Sequence, residues 1–140
     1  MAKTFSVSLV TPDGAVFEGE ATMLIVPGAA GEIGVLARHA PLIATLKAGS
    51  TRIHLGEGEE RVREFATGPG FFKVEQDRAI ALVDDAVSAR EIDHERARGQ
   101  LEEAQTELER VDRGESTADR WVLEQRIKHA ENQLSVSGRG

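Results

Sequence analysis

The stretch Pro27-Gly28-Ala29-Ala30-Gly31-Glu32-Ile33-Gly34-Val35-Leu36-Ala37-Arg38-His39-Ala40-Pro41-Leu42 decides how the rest of the chain is read. Glycines stand at 28, 31 and 34, and the run closes on His39 and Pro41. Glycine serves where φ must be positive or where two backbones approach closely, so this spacing predicts a tightly turned corner in a sheet. A phosphate loop needs Gly-x-x-x-x-Gly-Lys-Ser/Thr, and a dinucleotide turn needs Gly-x-Gly-x-x-Gly opening a helix; neither spacing is present.

Strands are expected on both sides of the corner. Upstream, Phe5, Val7 and Leu9 alternate with Thr4, Ser6 and Ser8, the period of a strand with one buried face. Pro12-Asp13-Gly14 supplies a turn, Val16-Phe17 opens the return strand, and the apolar run from Ala21 to Val26 suits a strand buried on both faces. Downstream, Leu42 to Leu46 is apolar, Lys47-Ala48-Gly49 turns, and Thr51 to Leu55 puts Ile53 and Leu55 on one face. Gly56-Glu57-Gly58 predicts a hairpin turn, with Arg61 to Ala66 returning and Val62 inward. Thr67-Gly68-Pro69-Gly70 breaks the chain before a last pair, Phe71 to Val74 and Ala79 to Val83, joined near Gln76-Asp77. Short strands punctuated every ten residues or so indicate a sandwich or barrel.

Near Asp84-Asp85 the composition changes. From Ser88 to Ser137 there is no proline, and Glu, Arg, Ala, Leu and Gln dominate, as helices prefer. Either Ser88, with Glu91 completing a capping box, or Asp93 starts the first helix. Its apolar seam is Ala97, Leu101, Ala104, Leu108 and Val111, at alternating spacings of four and three. Gly114 suits a helix end, and Ser116 or Thr117 the next N-cap. In the second helix Leu123, Ile127, Ala130 and Leu134 repeat the spacing, Trp121 sits on the flank, and Glu124 with Lys128 has ion-pair spacing. The short link makes the two helices antiparallel neighbours. The fold class is thus an N-terminal antiparallel β-sandwich, residues 1–86, followed by a C-terminal antiparallel two-helix hairpin, residues 87–140. Alanines in the seam limit the buried area, so the hairpin is near balance and suited to exchanging its partner for another surface.

Composition excludes several function classes. The chain has 140 residues and a formal charge of -7, which argues against a sequence-independent grip on nucleic acid. There are no cysteines, so disulfide and thiolate chemistry are absent. The N-terminus lacks the apolar core of a signal peptide and no window approaches a spanning helix, so no direct membrane insertion is expected. His39, His54, His94 and His129 lie on separate elements without a metal-ligand spacing. No Gly-x-Ser-x-Gly elbow is present, and with 24 acidic residues a pair such as Asp84-Asp85 arises on any solvated face. No catalytic or metal-binding residue is assigned.

The corner Gly-x-x-Gly-x-x-Gly followed by Val35-Leu36, His39 and Pro41-Leu42 resembles the epsilon subunit of F-type ATP synthases. Ile92-Asp93-His94-Glu95-Arg96-Ala97 resembles that family's second signature, and the resemblance runs over almost the whole chain.

What the resemblance implies is a non-catalytic subunit of the rotary central stalk. The sandwich would sit against the gamma subunit and the ring of c subunits, with the helices contacting gamma or rising to the catalytic alpha/beta head to restrain hydrolysis. The protein would work at the cytoplasmic side of the inner (plasma) membrane, peripheral to it through the complex. Gly31, Val35, His39, Pro41 and Leu42 are the expected partner contacts. No cofactor is required. In similar proteins the second motif takes part in binding ATP as a regulatory ligand, which makes Asp93 and Arg96 candidate contacts; arginines that nucleotide-binding members carry on the second helix fall here at His129 and Gln133. The rival reading is an ATP sensor whose hairpin closes on nucleotide.

Overall fold

A computed structural model describes residues 3–56 and 61–137. The chain divides into two compact units, Met1–Ser88 and Ala89–Gly140.

Among the described residues the first unit contains ten strands: β1 (Phe5–Thr11), β2 (Gly14–Ala21), β3 (Met23–Gly28), β4 (Gly31–Val35), β5 (Leu42–Leu46), β6 (Gly49–His54), β7 (Val62–Thr67), β8 (Gly70–Glu75), β9 (Arg78–Val83) and β10 (Ala86–Ser88). They are ordered β10-β7-β6-β3-β5-β8-β9-β1-β2, with β4 beside β3. Every pair is antiparallel except β1 and β9, which run parallel. Only the pair Gly28 and Leu46 joins β3 to β5. That junction is where the sheet divides into the two layers of a β-sandwich.

Register fixes the core, because directly opposed residues share a face. Ala44, Phe72, Ala81, Leu9 and Phe17 form one row across β5-β8-β9-β1-β2, and Leu42, Val74, Ala79 and Val7 the next. Phe72, Leu9, Val74 and Val7 are fully buried and meet Leu24, Val26, Val35 and Ile53 from the other layer. The expected run Ala21–Val26 is broken by a bend at Thr22, and from Met23 it alternates half-buried and buried rather than burying both faces. The predicted face of Val62 is also corrected. Ile53 pairs with Arg63, so Arg63 shares the core face and its guanidinium lies 5.9 Å and 5.3 Å from the Phe17 and Phe65 ring centroids, where a cation can sit over a π-face. Glu57 and Gly58 of the predicted Gly56-Glu57-Gly58 turn fall outside the described residues.

β10 carries the sheet past Ala86, because Val87 pairs with Ala66 and Ser88 with Phe65. The second unit opens with a 3-10 turn, Ala89–Glu91, followed by α1 (His94–Asp112) and α2 (Arg120–Ser137). Between the two starts proposed for α1, Asp93 prevails: its carboxylate accepts from the Arg96 amide at 3.0 Å. The seam forms as spaced, with Ala97, Ala104, Leu123 and Ala130 buried and Leu101, Leu108, Ile127 and Leu134 half-buried. Gly114 takes φ 75° just beyond the end of α1.

Two expectations at the turn are corrected. Asp119, not Ser116 or Thr117, caps α2, accepting from the amides of Trp121 at 2.9 Å and Val122 at 3.4 Å. The Ser116 hydroxyl is bonded to Glu107 instead. Glu124 pairs with Arg120 at 3.0 Å, one turn back, rather than with Lys128. No described helix is long and apolar enough to cross a membrane.

Candidate functional site

The corner is a hairpin of β3 and β4 in which Gly28 pairs with Gly31 and Ala29-Ala30 form the loop. A Cβ on Gly28 would stand 2.6 Å from the Gly31 carbonyl oxygen, and Gly31 itself has φ 140°. Those two glycines are therefore required by close approach and by backbone conformation, respectively. A Cβ on Gly34 would meet nothing within 4 Å, and nothing in the structure requires glycine there. Beside the loop is an open depression of about 400 Å³ lined by Gly28, Ala29, Gly31, Ile33, Ala44 and Thr45.

The five expected contact residues separate by strand phase. Val35, the last residue of β4, is 0% exposed, so its side chain is not on the surface; Leu36, just beyond the strand, is 59% exposed. Gly31 and Pro41 are exposed, while His39 and Leu42 are half-buried. His39 Nδ1 donates to the Ala40 carbonyl at 2.6 Å, which orders the loop locally. The Arg38 amide donates to Asp77 Oδ1 at 2.5 Å, tying the end of the corner to the β8–β9 turn.

Beside the corner lies a surface that reading by residue type missed. On the outer face of β5-β8-β9-β1, Thr45, Phe71, Leu82 and Val10 form one cross-strand row and Ile43, Lys73, Ile80 and Ser8 the next. Ile43 is 73% exposed, Phe71 61%, Leu82 47% and Ile80 37%. The signal was present: Phe71-Phe72 and Ala79-Ile80-Ala81-Leu82-Val83 are apolar at successive positions, so both faces of those strands carry apolar side chains. A contiguous exposed apolar patch marks an interaction surface more often than an isolated leucine does.

In the second unit, the structure does not place Asp93 and Arg96 as paired ligands. The Asp93 carboxylate holds the Arg96 backbone amide, and the Arg96 residue is exposed. His129 Nε2 lies 2.7 Å from Gln133 Nε2, so those two positions on α2 bond each other. Among the described residues no group of acidic, His or Cys side chains is arranged to hold a metal. Among the described residues three groups have displaced proton affinities; one is Arg120, raised by its bonds to Asp112 and Glu124. Burial, reinforced by Arg52, lowers the pKa of His54. The Ser116 hydroxyl, helped by Arg110, holds the Glu107 carboxyl below the usual carboxylate range.

A family model for the ATP synthase Delta/Epsilon chain β-sandwich domain matches residues 4–89. The ATP synthase epsilon chain of Halalkalibacterium halodurans is 37% identical over 136 residues, 97% of this chain and 98% of the relative. That of Rubrobacter xylanophilus is 39% identical over 134 residues, 94% and 90% of the two chains. Among solved structures, a chain of the Euglena gracilis mitochondrial ATP synthase complex of OSCP, F1 and c-ring aligns with TM-score 0.74 at 23% identity, covering 94% of this chain and 80% of that one. A chain from the Tetrahymena thermophila central stalk and c-ring aligns with TM-score 0.55 at 13% identity, covering 98% and 96%. These two likenesses concern the fold alone.

Proposed function

Because the chain belongs to the epsilon-chain family of ATP synthases, a non-catalytic subunit, we propose that it works in the central stalk, coupling the gamma subunit to the c-ring, and that its helical hairpin regulates ATP hydrolysis. The observation that carries this reading is the end-to-end match: 37% identity extends over both units, across 97% of the chain. A sandwich domain alone would leave the hairpin unaccounted for.

In this reading the outer face bearing Ile43, Phe71, Ile80 and Leu82 docks on gamma, and the corner with Gly31, Leu36, His39 and Pro41 meets the c-ring. Two solved proteins of like fold come from a complex of OSCP, F1 and c-ring and from a central stalk with its c-ring, which is in keeping with the c-ring as an occupant. Covering a large apolar side chain contributes about 1.5 to 3 kcal/mol, so a few residues on this face supply most of what a stable contact needs. The place of work is the cytoplasmic side of the membrane that houses the synthase, reached through the complex. The alpha/beta head is the partner of the hairpin when it acts on hydrolysis.

The rival, a sensor closing on ATP, draws less support, since Asp93 is engaged as a cap and His129 bonds Gln133. The test is binding of the purified chain to purified gamma, followed by hydrolysis assays of the enzyme reconstituted with the full chain or with residues 1–88. Binding to gamma, with faster hydrolysis when the hairpin is missing, is the expected result. A chain that never associates with gamma overturns the stalk reading, and equal hydrolysis rates overturn the regulatory one.

A further inference from the structure

The two ends of the helical hairpin are held by different chemistry. At the turn end, Glu107 accepts from the Ser116 hydroxyl and from Arg110 Nη1, the latter at 2.9 Å, and Arg110 Nη2 donates to the Glu115 carbonyl at 3.3 Å. Arg120 bridges Asp112, on α1, and Glu124, on α2, beside the Asp119 cap. Several ionic groups therefore share the load there, and the lowered pKa of Glu107 keeps that carboxylate charged.

At the open end Val136 is buried, at 1% exposure, and the polar contacts among the described residues form one relay. Arg98 Nη2 lies 2.9 Å from His94 Nε2, His94 Nδ1 lies 3.1 Å from Ser137 Oγ, and the Ser137 hydroxyl donates to the Leu134 carbonyl at 3.0 Å. A guanidinium has only donors, so His94 Nε2 must accept, which leaves the ring hydrogen on Nδ1 to donate to Ser137. Donation then runs one way, from Arg98 on α1 through the imidazole to the last turn of α2. His94 and Ser137 are 43 residues apart, so their contact is tertiary rather than local. Leu134 to Ser137 contain no ionisable residue, and α2 has no basic side chain in its last turn to meet its terminal carbonyls.

We infer that the His94–Ser137 contact is a clasp, and that α2 leaves α1 from its Ser137 end, last turn first, while the turn between Gly114 and Asp119 stays closed. A surface that captures α2 therefore meets Leu134 and Val136 before it meets Leu123. The clasp is a property of the isolated chain and stands whether or not the stalk reading does.

Hydrogen exchange on the isolated full-length chain tests it. Amides of Leu134–Ser137 are expected to exchange at least about tenfold faster than those of Glu124–Arg126, reporting opening from one end. His94→Ala and Ser137→Ala should each accelerate the last-turn amides by about five- to tenfold and leave Glu124–Arg126 unchanged. The double variant should fall short of the product of the two single effects, because both remove the His94–Ser137 contact, and Ser137→Thr should keep exchange slow. Multiplying effects in the double variant, equal acceleration at both ends, or no acceleration at the last turn would each overturn the clasp.

Discussion

Gly70 lies so close to Leu82 that a Cβ on it would stand 1.9 Å from the Leu82 carbonyl oxygen. The obstruction is backbone of the neighbouring strand, with Val83 Cα at 2.8 Å, so no side chain can move aside to relieve it. Gly70→Ala must therefore push β8 away from β9, the pair that joins the core rows of Phe72 and Ala81. Overpacking of this kind costs about 1 to 3 kcal/mol, and involvement of backbone on both strands places Gly70→Ala at the upper end. The expected outcome is a lower urea midpoint with an unchanged slope. Gly34→Ala, with nothing within 4 Å, is the control and should leave the midpoint in place.

Phe71 and Leu82 face each other across the same two strands, on the outer side. Replacing Phe71 with Ser removes apolar surface from solvent, so stability is expected to stay within about 0.5 kcal/mol. If this face seats gamma, affinity should fall by at least about thirtyfold, the size of an interface hot spot. Calorimetry with purified gamma measures both arms. Unchanged affinity for Phe71→Ser and Leu82→Ser together would move the gamma contact elsewhere.

Strand phase and capping chemistry explain what was legible in the sequence and what was not. The alternation of Phe5, Val7 and Leu9, the turn at Gln76-Asp77 and the seam of α1 and α2 all formed where their spacing placed them, because one pattern of burial satisfied each. Faces depended on pairing. Val62 and Val35 took positions set by their partners, His54 and Leu24, which no single segment reveals. At the start of α2, Ser116, Thr117 and Asp119 are all good caps by type; Asp119 takes the amides of Trp121 and Val122, while the Ser116 hydroxyl donates to Glu107 and accepts from the Ala118 amide in the turn before the helix. The exposed face was hidden for a related reason: an apolar residue is usually read as core, and Ile43, Phe71, Ile80 and Leu82 are outside only by register.

His54 gives the sandwich a pH response with a definite sign. Burial, then Arg52, lowers its pKa below the ordinary value of 6.5, so the folded chain holds the imidazole proton less tightly than the unfolded chain does. Where the unfolded state binds more protons, stability rises with pH. The His54 contribution is therefore intact above 6.5 and is lost as pH falls through and below that value toward the folded pKa. Urea midpoints between pH 8 and pH 5 should decline for the native chain and decline less for His54→Gln. Equal slopes for the two would remove His54 as the cause.

Asp93 and Arg96 separate capping from nucleotide binding. Asp93→Ala removes the acceptor for the Arg96 amide and should lower the stability of α1 by about 1 kcal/mol. Arg96→Ala removes an exposed guanidinium and should leave stability unchanged. Calorimetry with MgATP is expected to show no tight binding to the native chain, since His129 and Gln133 are engaged with each other. Tight binding abolished by Arg96→Ala would restore the sensor reading.

The boundary between the units supplies a last measurement. β10 adds Ala86, Val87 and Ser88 to the sheet through pairs with Thr67, Ala66 and Phe65. A chain ending at Ser88 keeps all three pairs, whereas one ending at Ala86 leaves Phe65 and Ala66 without their edge partners. The longer fragment is expected to unfold cooperatively and to bind gamma as the full chain does, because the core residues Leu9, Phe72 and Ile53 all lie within it. The shorter fragment should fold with a lower urea midpoint, its stability reduced by about 1 to 3 kcal/mol, for the loss of two strand residues that carry backbone hydrogen bonds of roughly 0.5 to 1.5 kcal/mol each. Identical midpoints would mean that β10 contributes nothing to the sandwich. A fragment 1–88 that fails to fold would mean that the sandwich requires the residues beyond it.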